Sequence, residues 1–243
     1  MLARLRSSGL IWPTLMTGVA LPILLGLGTW QMQRKTWKDG LIAQRVAMSL
    51  KEPVEAGQPL LFAAVPPEFL RVRLNGRFLH DKERFWFADG PEGSGFHVFT
   101  PFEVAEAKVV WVNRGYIPAR LRDPANRIAG QTQGPTGLSG VVRLPGERNR
   151  FTPANDVARN VWYWKDLPAL QASAFAQTVA YAPIMVDLDA TPAPAGGWPK
   201  GGTAAAPLSN RHLEYAFTWY ALAATLIGVF LVFARGRLSA PTE

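Results

Sequence analysis

Two uncharged apolar runs, Leu10–Trp30 and Tyr215–Phe233, stand near opposite ends of the chain. As helices rising 1.5 Å per residue they reach roughly 31 and 28 Å, close to the hydrocarbon thickness of a bilayer. That length predicts two membrane spans, 10–30 and 215–233. Between them lies an extramembrane domain, 31–214, and the short ends 1–9 and 234–243 fall together on the opposite side.

The alternative for the first run is a cleaved signal peptide, since Arg4 and Arg6 precede it. The run exceeds a signal's apolar region of about 7–15 residues and closes on Gly28-Thr29-Trp30-Gln31 rather than on a small-residue cleavage site, so an uncleaved anchor is favoured, with Trp30 at the interface and a kink near Pro22. The alternative for the second run is a buried core helix. Its lack of charge, its terminal aromatics and the Arg235 and Arg237 that follow it favour a span. Basic residues flank the first span on both sides, with Arg34, Lys35, Lys38 and Arg45 after it, and counting them leaves the orientation open.

From Gln31 to Glu214 there are 22 basic against 17 acidic side chains. The basic residues are scattered, with no Lys/Arg-rich run and no nucleic-acid motif, which suits a solvated surface near anionic lipid rather than DNA or RNA binding. The chain has no cysteine, which excludes disulfides, thiolate metal sites and cysteine nucleophiles. Copper delivery is disfavoured on the same ground, because Cu(I) carriers use thiolate or clustered methionine ligands.

Periodicity changes along the domain. Gln31–Lys38 continues the first helix, and after Asp39-Gly40 a second helical pattern covers Leu41–Leu50. Leu70, Val72 and Leu74 then alternate with Arg71, Arg73 and Asn75, the pattern of a half-buried strand, and Gly76 predicts a bulge or a close approach. Further strands are expected at Phe85–Phe87, Phe96–Phe102, Val109–Ile117, Leu138–Leu144 and Ala180–Leu188. Asp166 caps a short helix running through Leu170 to Gln177, with Pro168 in its first turn. Thr191–Ser209, rich in Pro, Gly and Ala, is a loop returning the chain to the membrane. The fold class is therefore membrane-anchored α+β: two transmembrane helices flanking a mainly antiparallel small barrel or sandwich, placed at about Pro66 to Asp189.

Three segments carry a family resemblance: Leu27-Gly28-Thr29-Trp30-Gln31-Met32-Gln33-Arg34-Lys35, Val112-Asn113-Arg114-Gly115-Tyr116-Ile117-Pro118, and Asn210-Arg211-His212-Leu213-Glu214-Tyr215-Ala216-Phe217-Thr218-Trp219-Tyr220. With weaker matches at Gly76-Arg77-Phe78 and Thr100-Pro101-Phe102 they span nearly the whole chain, which resembles the surfeit-locus (Surf-one) family of cytochrome c oxidase assembly factors. The resemblance implies a non-enzymatic protein with a periplasmic or intermembrane-space loop, both termini inward, assisting maturation of the haem–copper oxidase. Its partners would be the oxidase catalytic subunit, other assembly factors and the lipid bilayer. The few residues before the first span point to a bacterial inner membrane rather than to a mitochondrial targeting sequence.

The family is thought to bind haem a through the histidine matched by His212. On a helix His212 shares a face with Tyr215, Ala216 and Trp219, so an imidazole stands beside flat aromatics. A helix N-terminus favours the neutral, iron-ligating imidazole, with Glu214 opposing. Arg211, joined by Arg34 and Lys35 if the helix ends adjoin, suits haem propionates. The competing reading is an interfacial histidine that caps its helix or meets headgroups; the resemblance places the ligand role ahead.

His80 and His97 have no neighbouring ligand set and are read as structural. Trp30, Arg34 and the Asn113-Arg114-Gly115-Tyr116 segment are candidate partner-binding residues; a strand ending in a glycine turn, with Arg114 solvated, explains the segment equally well. Glu92-Gly93-Ser94-Gly95-Phe96 is no nucleophile elbow, and no Ser-His-Asp set or paired carboxylates assemble. Two functions compete: a haem a chaperone for the oxidase, and a haem-free scaffold binding its assembly intermediates.

Overall fold

The computed structural model describes residues 9–49, 51–63, 68–90, 92–203 and 210–239. Arg4, Arg6, Pro66 and the last six residues of the expected return loop lie outside them. The chain divides into two units, Met1–Gln44 with Leu208–Glu243, and Arg45–Pro207.

The first unit is a pair of helices. The N-terminal helix, Ile11–Ser49, runs unbroken through Pro22 and through Asp39-Gly40, so the expected second helical segment is a continuation of the first. An interior glycine costs only about 1 kcal/mol relative to alanine, which a long helix absorbs. At 1.5 Å per residue the 39 residues extend about 58 Å, nearly twice a bilayer's hydrocarbon thickness. The C-terminal helix, His212–Ser239, starts three residues before the apolar run. Both helices are long and apolar enough to cross a membrane. Their outward side chains, such as Trp12, Met16, Val19, Phe217 and Val232, are exposed, the distribution that a lipid environment tolerates and water does not.

In each helix the least exposed residues recur at alternating steps of three and four: Leu24, Gly28, Gln31 and Lys35 on one, His212, Ala216, Trp219, Ala223 and Leu226 on the other. This is the seam of a coiled-coil-like pair, with Gly28 and two alanines supplying the small residues that let helices approach in a membrane. A Cβ placed on Gly28 would lie 2.6 Å from the Tyr220 ring.

The second unit is built on eight strands: β1 (Val54–Glu55), β2 (Arg71–Phe78), β3 (Arg84–Gly90), β4 (Gly93–Ala105), β5 (Lys108–Pro118), β6 (Thr136–Arg143), β7 (Val161–Trp162) and β8 (Ala180–Leu188). Five close into a barrel in the order β2-β6-β8-β5-β4, with β4 returning to β2 through Arg77↔Glu103 and Phe78↔Phe102. Gly76 stands at this closure, where a Cβ would collide with the Glu103 carbonyl and the Phe102 ring, so the anticipated close approach is the seam of the barrel. The pairings within the barrel are antiparallel except β5 with β8, which is parallel. β3 lies outside the ring against β4, and β1 and β7 are short parallel additions to β2 and β3.

The interior follows from strand alternation. Val72 and Leu74 of β2, Val110 and Val112 of β5, Leu138 and Val142 of β6, and Ala182, Ile184 and Val186 of β8 converge with Phe102 in one cluster. Outside the ring, Trp111 and Met185 meet Phe99, Trp162, Leu167 and Leu170, the last two from a short helix, Leu167–Ala174. Asp166 caps that helix by accepting from Ala169 N at 3.1 Å. β5 is thus covered on both faces, which is why it reads as a continuous buried run rather than as an alternating one. The described part of the return segment belongs to the fold: Lys200 exchanges two backbone hydrogen bonds of 2.9 Å with Tyr116, and Gly202 donates to Leu188 at 2.8 Å.

Candidate functional site

Within the helix pair, the first turn of the C-terminal helix faces the N-terminal helix just beyond its apolar run. His212 Nδ1 lies 2.7 Å from Gln31 Oε1, and Asn210 donates to Asp39 Oδ1 at 2.7 Å. With the Gln31 carbonyl as acceptor, Nδ1 carries the proton and Nε2 the lone pair. This is the arrangement of a metal-ligating histidine, one nitrogen oriented by an outer hydrogen bond while the other is left to bind. No hydrogen bond to Nε2 is found among the described residues.

The remaining expected members divide. Trp219 lies on the seam with His212, whereas Tyr215 is 53% exposed and points away from it. Arg211 is held by Glu214 in two hydrogen bonds of 2.9 and 2.8 Å, and Lys35 by Asp39 at 2.6 Å. Arg34 stacks over the exposed Trp37 ring at 4.4 Å, and Trp30 is exposed. The residues therefore fit a haem at its iron-facing imidazole and at one aromatic wall. Two of the three cations proposed for its propionates already have a carboxylate.

Asn113-Arg114-Gly115-Tyr116 departs from expectation. The segment lies in β5, where Asn113 is flanked by Phe99 of β4 and Asp187 of β8, and Tyr116 by His97 of β4 and by Lys200, while Arg114 and Gly115 fall at the register shift between them. Arg114, expected in solvent, has its side chain 3% exposed and 2.9 Å from Glu83. Gly115 has φ of 116° and sits where a Cβ would strike the Lys200 carbonyl, so glycine alone is accommodated there. Tyr116 donates its hydroxyl to Gly93 O at 2.8 Å.

Arg114 belongs to a buried ion cluster that sequence spacing gave no reason to assemble. Glu83, immediately before β3, accepts from Arg114 Nη1 at 2.9 Å and from Arg127 Nη2 at 2.5 Å. Arg127 comes from the 3-10 segment Pro124–Gly130, capped by Asp123, and Arg114 also donates to Gly130 O. His80 completes the group, with Nε2 2.9 Å from Thr132 O and Nδ1 3.6 Å from Glu83 Oε1. Burial by itself raises the Glu83 carboxyl, but the His80 imidazole 3.6 Å away, the hydrogen bonds from Arg127 and the two guanidinium charges hold it down to about 2. Burial pulls Arg114 down to about 10 against the attraction of Glu83. The cluster is fully committed to itself and ties β3, β5 and the following loop together.

A second polar group lines a cavity of about 590 Å³ on the barrel, among Trp86, His97, Asn113, Tyr116, Lys165 and Asp187. Asn113 donates to Asp187 Oδ1 at 2.9 Å and to Thr203 Oγ1 at 3.2 Å. Burial lowers the pKa of both His97 and Lys165. Neither Glu83, Arg127, Gln31, Lys165 nor Asp187 stood out in sequence. Of these only Gln31 carried a signal, as a polar residue at the membrane exit inside a recognised segment.

The SURF1 family matches residues 18–224. A SURF1-like protein of Monosiga brevicollis is 35% identical over 244 residues, covering 95% of this chain and 89% of its own. Surfeit locus protein 1 of Takifugu rubripes is 35% identical, covering 82% and 87%, and that of Homo sapiens 36% identical, covering 87% and 74%. The matched region takes in most of the N-terminal helix, the first half of the C-terminal one, the closed barrel and all three resembling segments, and the chain belongs to the SURF1 family.

Proposed function

We propose that the protein assists assembly of a haem–copper cytochrome c oxidase by holding haem a at the mouth of its helix pair. The observation that supports this most is His212, whose Nδ1 is engaged by Gln31 so that Nε2 is presented as a ligand. When bound, haem a would supply an iron that accepts an imidazole nitrogen, an apolar ring and two carboxylates. His212 would hold the iron, Trp219 would lie against the ring, and Arg34, with Arg211 when it leaves Glu214, would meet the carboxylates. Trp30 and Arg34, exposed on the N-terminal helix, face the oxidase catalytic subunit or other assembly factors. The protein is not an enzyme in this reading. It sits in a bacterial inner membrane with both termini cytoplasmic and the barrel periplasmic.

The test is a spectrum of the protein purified from cells that make haem A. His212→Ala should shift the Soret band and speed haem dissociation at least tenfold, while Phe217→Ala, an exposed position of the same helix, should change neither. Equal spectra and equal retention in wild type and His212→Ala, with oxidase still assembled, remove the ligand role. The scaffold reading then leads, and the prior engagement of Arg211 and Lys35 by carboxylates already favours it.

A further inference from the structure

The cavity beside β3, β4 and β5 gathers polar groups that the protein leaves uncompensated. Lys165, just ahead of the Asp166 cap, is turned inward with its Nζ 4.9 Å from the centre of the Trp86 ring and 5.7 Å from that of Phe99. No carboxylate oxygen comes within 4 Å of it among the described residues. The nearby acid, Asp187, is committed elsewhere, accepting from Asn113 at 2.9 Å and lying 3.8 Å from Arg143 Nε. Trp86 Nε1 and His97 Nδ1 are buried on the same wall with no hydrogen-bond partner.

A largely buried ammonium with no carboxylate within ion-pair distance and two orphaned ring nitrogens each cost free energy, and native proteins seldom leave three such groups together. Cation–π contact with Trp86 and Phe99 offsets part of the ammonium's cost but gives the indole N–H and the imidazole nothing. The volume is within the range of about 300–1,000 Å³ typical of small-molecule sites. Among the lining side chains the cations Arg143, Lys165 and Lys200 outnumber the carboxylates Asp89 and Asp187, which favours an anionic occupant. The Trp86 and Tyr116 rings on its walls favour a flat apolar body. The ammonium and the indole N–H can each donate to an oxygen of a carboxylate.

We propose that this cavity binds a carboxylate carried on a flat apolar frame, with Lys165 as its counter-ion. The site lies wholly within the barrel unit and owes nothing to His212.

The test uses the full chain in nanodiscs, titrated with 2-naphthoate, with its neutral isostere 2-naphthamide, and with inorganic phosphate, against protein-free nanodiscs. Saturable naphthoate binding at least tenfold tighter than that of the amide is expected. It should fall at least tenfold in Lys165→Met while the unfolding temperature stays within a few degrees. Equal binding of acid and amide, equal binding by wild type and Lys165→Met, preference for phosphate, or no saturation up to millimolar probe would each overturn the proposal. If Lys165→Met fails to fold, the acid-to-amide ratio on the wild-type protein decides alone.

Discussion

Glu83 shows how a single side chain ties acid tolerance to tertiary structure. Its carboxyl, ordinarily near 4.5, is held at about 2 in the folded barrel. Its contribution is therefore fully present above pH 4.5 and is lost as pH falls towards 2, where the folded state must also take up the proton. The shift corresponds to about 3 kcal/mol. The unfolding temperature of wild type should fall steeply across that acid window. Glu83→Gln, less stable at pH 7, should show a flatter profile there, and an unchanged acid slope in the variant would refute this account. Removing Arg127 strips one charge partner from a carboxylate that water does not reach, so Arg127→Ala should cost about 3–5 kcal/mol in thermal unfolding. An exposed pair such as Arg120–Glu92 should be worth about 1 kcal/mol or less.

Among the elements, the helix pair depends on close approach at Gly28. Substituting leucine there drives a side chain into the Tyr220 ring, next to the 3.2 Å contact between Thr29 Oγ1 and the Tyr220 hydroxyl. Gly28→Leu should splay the helices and reduce the yield of a short thiol crosslinker joining Gln31→Cys to His212→Cys. An undiminished yield would show that the helices pair elsewhere. Elements of this kind were legible in sequence where one face is buried: the alternation of Val72 and Leu74 with Arg71 and Arg73 marks β2, whose outward arginines pair with Asp189 and Glu55. The span expected at Ala180–Leu188 is β8 itself. Asp39-Gly40 misled because a turn dipeptide stops a helix only when nothing holds the next turn. Here Asp39 is tied to Lys35 within the helix and to Asn210 of its neighbour. β1 and β7, of two residues each, have no period to read. Nor does spacing disclose the Glu83 cluster or the Lys165 cavity, because both join residues brought together only by barrel closure.

At the scale of the whole molecule, two spans require both termini to lie on one side of the membrane. The proposed orientation puts them in the cytoplasm. A periplasm-dependent reporter should be active when fused near Gly134, in the loop between β5 and β6, and silent at Glu243; the reverse pattern would invert the topology. The closed barrel bears on a hazard peculiar to such an anchored chain. Confinement to a plane makes encounters between copies frequent, and an open sheet would offer each newcomer a row of unsatisfied amides to pair with. Closure gives each strand of the ring a partner on both flanks over at least part of its length, and outside it the free side of β3 is covered by β7 only at Phe85 and Trp86. Crowding in the membrane should therefore bring these molecules together without zipping the closed barrels into a shared sheet, and leaves the far end of β3, beyond Trp86, as a place where a strand could add.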